Sequence, residues 1–437
     1  MQQLKVSDNR RFLTYADGTP FFYLADTAWE LFHRLDRDEA DVYLQDRAAK
    51  RFTVIQAVVL AEWGGLTIPN PYGELPLFDN DPTRPNDAYF RHVDAIVDKA
   101  EALGLSVGML PTWGDKWNRK WGDGPEIFTP DNARWYGRYV GRRYAEKPII
   151  WILGGDRPVE SGHHREIIRE MALGLREGDG GTHLSSFHPV GGHTSAEWWH
   201  EDDWLDFNML QSGHTRNQDN YDRVAADYAR EPVKPCMDAE PGYEDHPAGF
   251  DLENGYLADY DVRKSLYWAL FAGAFGHTYG CHDIWQYLQE GRNPATFART
   301  PWRQALGLPG VGQVQHARAL IESRPFLSRI PDQSLIVSDP GTGTHHVRAT
   351  RDTDGSYALI YLPSCRPVTV DLEKLSGERL NVTWYDPRTG AVRAAGQVER
   401  AGQQEFVPPQ VWPDWVLVLD DASRGFPLPG AWWPDVV

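Results

Sequence analysis

The chain has 437 residues, 41% hydrophobic and 24% charged, enough for a large core and two or three domains. No apolar run reaches the ~20 residues a bilayer-crossing helix needs, which excludes such a span. A formal net charge of −18, with no offsetting Lys/Arg cluster, argues against nucleic acid and anionic lipid as partners.

At the N-terminus, MQQLKVSDNRR lacks the apolar stretch of a signal peptide, and the three cysteines cannot build a disulfide framework. A cytoplasmic location is the expectation, or a secreted one if a leader has been removed. The next residues, KVSDNRRFLTYADGTPFFYL, alternate and contain Asp17-Gly18, which predicts a hairpin that covers the barrel floor or touches a second domain.

From there to about residue 325, strand-length apolar runs alternate with helix-length amphipathic ones. Strands are predicted over 21–29, 52–60, 105–113, 149–156, 183–189, 207–214, 235–243 and 276–285. Helices are predicted in the gaps, over 38–51, 86–104, 132–147, 164–177, 220–231, 261–274 and 311–323. The unit between the fifth and sixth strands has little helical signal and is expected to be irregular. Eight such units favour a (β/α)8 TIM barrel, and no GxGxxG follows the first strand to suggest an open dinucleotide-binding sheet. The expected division is a catalytic barrel with its hairpin over 1–330 and an antiparallel β-sandwich over 331–437. In the second part, HHVRAT, YALIYLP, VTVDLEKL, LNVTWYDPRTG and WVLVLDD are short alternating runs between turns.

In such a barrel, reactive groups sit at the C-terminal strand ends, because those ends and their loops form the open face. That rule selects Asp26, Trp29, Gln56, Glu62, Trp63, Trp113, Asp156, His188, Gln211, Glu240, Tyr243, His282 and Trp285. Asp156 follows WILGG and Glu240 follows CMDA with Pro241-Gly242 behind it, so both interrupt apolar or small-residue runs. Such an acid either pairs with a buried base as part of the framework or works as an acid or base in a partly dry site. Two carboxylates across one barrel mouth suit glycoside hydrolysis, where one protonates the leaving oxygen and the other attacks or activates water. The glutamate, if supplied with hydrogen-bond donors, stays ionised, while the aspartate in less polar surroundings keeps its proton.

The other residues are expected to line a substrate site. Indole faces of Trp29, Trp63, Trp113 and Trp285 can stack on sugar rings or simply fill core, among 18 tryptophans in the chain. His188, His214, His277 and His282 can bond hydroxyls or serve the framework. The absence of HExxH, and of HxH at the first strand, disfavours a metal-dependent hydrolase, and no cofactor is expected.

At DGTPFFYLADTAWEL (17–31), IIWILGGDRP (149–158) and MDAEPGYE (237–244), the chain resembles glycoside hydrolase family 140, the apiosidase-type barrels. The resemblance spans nearly the whole length and extends to a C-terminal module resembling what has been called a collagen-binding domain, expected here to be structural. It implies a retaining glycosidase that removes terminal D-apiose from plant glycosides or pectin side chains, with Asp156 as acid/base and Glu240 as nucleophile. Larger relatives usually show Asn-Glu at the first of these positions, where this chain has Gly155-Asp156. The alternatives are a glycosidase for another pentose, such as an arabinofuranosidase or xylosidase, and a non-catalytic carbohydrate-binding protein.

Overall fold

The computed structural model describes residues 3–409 and 413–431. Eight parallel strands, β1 (Tyr23–Thr27), β2 (Val54–Leu60), β3 (Ser106–Thr112), β4 (Ile149–Gly154), β5 (Ser185–His188), β6 (Asn208–Leu210), β7 (Cys236–Asp238) and β8 (Gly276–Tyr279), form a nearly closed barrel. Ladders join every neighbouring pair except β5 and β6. At that seam, the Asp206 carboxylate accepts the Ser185 amide at 2.7 Å, the Asp206 amide donates to the Ser185 carbonyl at 2.9 Å, and the Ser186 hydroxyl donates to the Phe207 carbonyl at 2.7 Å, so side chains and one backbone bond hold the edges together.

Eight helices follow the strands: α1 (Arg37–Ala49), α2 (Asp87–Ala102), α3 (Pro130–Arg143), α4 (Gly162–Asp179), α5 (Ala196–Trp199), α6 (Asn220–Tyr228), α7 (Asp259–Phe271) and α8 (Pro309–Glu322). Their starts are set by local chemistry. Asp36 and Glu39 form a capping box on α1, Asn86 caps α2, and Thr129 with Asn132 caps α3. The irregular fifth unit is a single-turn helix. Helices α3 and α4 are set close by Gly137, Gly141, Gly174 and Gly178; a Cβ on Gly174 would stand 2.2 Å from the Arg134 carbonyl oxygen.

Every barrel strand is shorter than the run that predicts it. The predicted strand over 235–243 pairs only as far as Asp238, and that over 276–285 breaks at Tyr279 into a loop and the short helix His282–Trp285. The overrun is the functional part: apolar runs continue past the last ladder bond because the loops fold back over the barrel mouth and are buried there.

The N-terminal residues form Leu4–Val6, Leu13–Tyr15 and Pro20–Phe21, a small antiparallel sheet under the barrel with a turn at Gly18 (φ +93°). Phe12 and Phe22 both pack edge-on against Phe326. A six-stranded antiparallel sheet begins at Arg329 and is faced by the pair Val368–Asp371 and Gln403–Phe406. Its alternation has two destinations: Tyr357, Leu359, Tyr361, Val416 and Val418 pack on the barrel, whereas Ala358, Ile360, Leu417 and Leu419 build the module's own core. Tyr361 stacks on Tyr267 of α7 at 4.9 Å, and the buried Arg263 guanidinium meets both oxygens of buried Asp414 at 3.1 and 2.9 Å. The long outer strand Val392–Glu399 carries little apolar pattern, and no sequence signal marks it.

Candidate active site

Asp156 stands two residues beyond β4 at the end of a forced turn. Gly154 and Gly155 have φ of +96° and +100°, and a Cβ on either would meet the His188 carbonyl oxygen at 2.4 Å or the Gly114 nitrogen at 2.7 Å. Only glycine fits both constraints. Asp156 itself is held at φ +54°, a strained value for an aspartate that turns its carboxyl into the mouth. Glu240 lies two residues past β7, where the chain leaves the ladder before Pro241.

The two acids share one cavity of about 380 Å³. Gln211 Nε2 at 3.0 Å and His214 Nε2 at 3.1 Å bond Glu240 Oε1, and His188 Nε2 stands 2.9 Å from Oε2 as a close charge contact. Burial alone would favour the neutral acid, yet the contacts with His188 and His214 overcome it and hold the carboxyl down to about 2. The Tyr243 hydroxyl sits beside it, accepts from Trp29 Nε1 at 3.2 Å, and stays protonated because burial and the Glu240 charge raise its pKa strongly.

Asp156 goes the other way. Burial and the nearby Glu240 charge push it up to about 6, against the opposing influence of Arg157 and His188. Arg157 Nη1 lies 3.2 Å from its Oδ2. The Gln211 amide that bonds Glu240 at 3.0 Å also lies beside Asp156 and opposes that rise.

Aromatic rings build the walls. Trp29 and Trp113 meet at 5.0 Å and both pack on His188, at 5.2 and 5.9 Å. His214 stacks on His246 at 4.4 Å, His246 meets His282 edge-on at 4.2 Å, and Trp285 Nε1 donates to His282 Nδ1 at 3.2 Å. Burial lowers His282 to about 4, so the ring is neutral near pH 7. Several buried polar atoms around the acids, Trp113 Nε1, Gln211 Oε1 and His214 Nδ1, have no protein partner among the described residues. Such atoms suit a ligand rich in hydroxyls. Among the described residues no group of three or more His, Cys, Asp or Glu is placed to hold a metal.

Of the residues singled out by sequence, Trp29, Glu62, Trp113, Asp156, Gln211, Glu240, Tyr243, His282 and Trp285 line this cavity, and His188 touches Glu240 from behind. Two do not join them. Asp26 points outward and takes the Tyr43 hydroxyl and Arg47 Nε, each at 2.5 Å, as a buried tie between β1 and α1. Gln56 is sealed in the barrel core, donating to Thr278 Oγ1 at 2.7 Å where Gly108 leaves room for it. Trp63 lies at the border: it meets Trp285 edge-on at 5.7 Å but faces a neighbouring groove of about 760 Å³. That groove is larger, but its acids are otherwise employed. Asp36 caps α1, Glu39 pairs with Arg303, and Asp123 accepts the Gly64 amide. Sequence reasoning did not find Trp121, His246 or Phe250, which also line the cavity shared by the two acids, from loops without periodicity.

The whole chain is similar to solved glycoside hydrolases. One such structure is 34% identical with a TM-score of 0.89, covering 97% of each chain. A crystal structure of a glycoside hydrolase family 5 protein from Bacteroides vulgatus ATCC 8482 is 33% identical, with a TM-score of 0.91 over 99% of this chain and 97% of that one. An alpha-amylase from Lactobacillus plantarum, 10% identical with a TM-score of 0.54 over 91% of this chain and 98% of that one, shares the fold alone. No curated protein matches. Residues 330–420 match a family model described as a collagen-binding domain of a collagenase. Residues 7–328 match the model of the apiosidase-like catalytic domain, so the chain belongs to the apiosidase-like family and is a glycoside hydrolase.

Proposed function

We propose that the protein is a retaining exo-glycosidase that releases a terminal pentofuranose, β-D-apiose, from plant glycosides or pectin side chains. The observation that carries this reading is the pair Asp156 and Glu240, opposed in proton affinity and facing one shared cavity. A retaining mechanism requires the two carboxyls to stand ~5–5.5 Å apart, against the ~6.5–9.5 Å of an inverting one. In the first step Glu240 attacks the anomeric carbon while Asp156 gives its proton to the leaving oxygen. In the second, Asp156 as carboxylate takes a proton from water, which then displaces Glu240 from the sugar. His188, His214 and Gln211 hold the attacking oxygen in place, and the Trp29–Trp113 wall fits the apolar face of a small ring.

The family supplies the sugar in this reading, and a panel of nitrophenyl glycosides that includes an apioside tests it. Turnover of the apioside above the arabinofuranoside and xyloside is expected. Faster release of either other pentose, or no turnover of any member, contradicts it. The −18 charge favours a small neutral glycoside over a polyanionic pectin fragment. Rates on a pectin oligosaccharide should therefore rise with salt while those on an apiosylated flavonoid stay level; equal salt dependence speaks against this preference.

A further inference from the structure

The cavity holds a third carboxylate, and its partner is the guanidinium that also touches Asp156. Arg157 is fully buried. Its Nη1 reaches the Asp156 carboxyl at 3.2 Å and the Asp156 carbonyl at 2.8 Å, while Nη2 is bonded to Glu62, which the loop after β2 brings to the cavity wall. The loop after β3 clamps this arrangement. The Trp121 ring lies 4.5 Å from the guanidinium, and a Cβ on Gly122 would meet Arg157 Nη2 at 2.6 Å.

We propose that Glu62 is a positioning residue that balances the charge of Arg157, so that Asp156 retains the proton it must deliver. The inference rests on Asp156 being the acid. An ionised Glu62 makes the Arg157–Glu62 pair nearly neutral to its surroundings. Without that charge, Asp156 faces an uncompensated cation and gives up its proton more readily.

Other charged groups bear on the pair from each side. Asp156 faces Glu240 from the loop after β7, His188 from β5 and the Gln211 amide from the loop after β6. Glu62 faces Asp115, itself paired with Lys116 at 2.6 Å, and Lys116 Nζ also donates to the Glu62 carbonyl at 3.3 Å. Burial, with the charges of Asp115 and Asp156, raises the Glu62 carboxyl, and the Arg157 guanidinium bonded to it opposes that rise and favours its ionised form.

The test is the pH dependence of kcat/KM for Glu62→Gln, which keeps the shape and an acceptor for Arg157 but removes the charge. The alkaline limb is expected to move down by about one pH unit, the effect of one charge screened at several ångströms. Glu62→Asp, which keeps the charge, should restore the limb toward the parent value. If Glu62→Gln does not fold, Glu62→Ala makes the same comparison. A limb that stays put in the charge-removing variant overturns the proposal, whatever happens to the absolute rate. Asp156→Asn on an activated aryl glycoside, which needs little acid assistance, separates the two claims. Loss of the alkaline limb there upholds Asp156 as the acid, and a persisting limb overturns that assignment instead.

Discussion

Asp156 and Glu240 differ by one methylene, yet their surroundings assign them opposite proton states. The glutamate has the Gln211 and His214 nitrogens bonded to it and the His188 ring beside it, and the aspartate has burial and a neighbouring negative charge. In the proposed mechanism the competent form has Glu240 ionised and Asp156 protonated. Activity should thus fall as pH rises through about 6 and hold on the acid side until pH nears about 2, within the range where the protein stays folded. A kcat/KM profile still rising at about pH 8 contradicts this assignment. Glu240→Gln should lower turnover at least about a thousandfold with an unchanged unfolding curve; near-parent activity removes it as nucleophile. Both acids are legible in the sequence because each follows an apolar strand at the face where barrels do their chemistry. The same rule misplaces Asp26 and Gln56. Neighbouring strand residues point alternately to helix and lumen, and a residue facing the lumen can still lie below the mouth, so position at a strand end does not fix where a side chain reaches.

Among the elements, count and order follow from periodicity, while lengths do not. The runs at 207–214 and 235–243 read as long strands because their loops are as buried as the ladder; only Asn208–Leu210 and Cys236–Asp238 pair. Tertiary burial, which periodicity does not distinguish from strand pairing, is what extends them. The glycines of α3 and α4 are likewise invisible as a contact until the helices are seen side by side. Gly174→Ala improves helix propensity by about 1 kcal/mol, but its Cβ would press on the Arg134 carbonyl, and overpacking of this kind costs about 1–3 kcal/mol. Net destabilisation in urea is expected; a more stable variant would mean that the helices separate without loss.

At the scale of the whole molecule, the sandwich is part of the barrel's packing. Arg263–Asp414 and Arg324–Asp420 cross the boundary as buried pairs, and one face of the six-stranded sheet closes over α7. Asp414→Ala leaves the buried Arg263 with Asp259, at 2.7 Å, as its remaining charged partner and should cost about 1–3 kcal/mol in a denaturant melt; a loss under about 1 kcal/mol would show the interface to be loose. The alternating apolar runs are enough to indicate a barrel, whereas the sugar it accepts depends on orphaned polar atoms in the loops after β3 and β6. The roles given to the two acids are tested by azide rescue of their alanine variants on an activated aryl glycoside, with the product's anomeric configuration read by NMR. Asp156→Ala should yield the glycosyl azide of retained configuration and Glu240→Ala the inverted one. The opposite stereochemistry, or no azide adduct from either variant, would contradict a double displacement on Glu240.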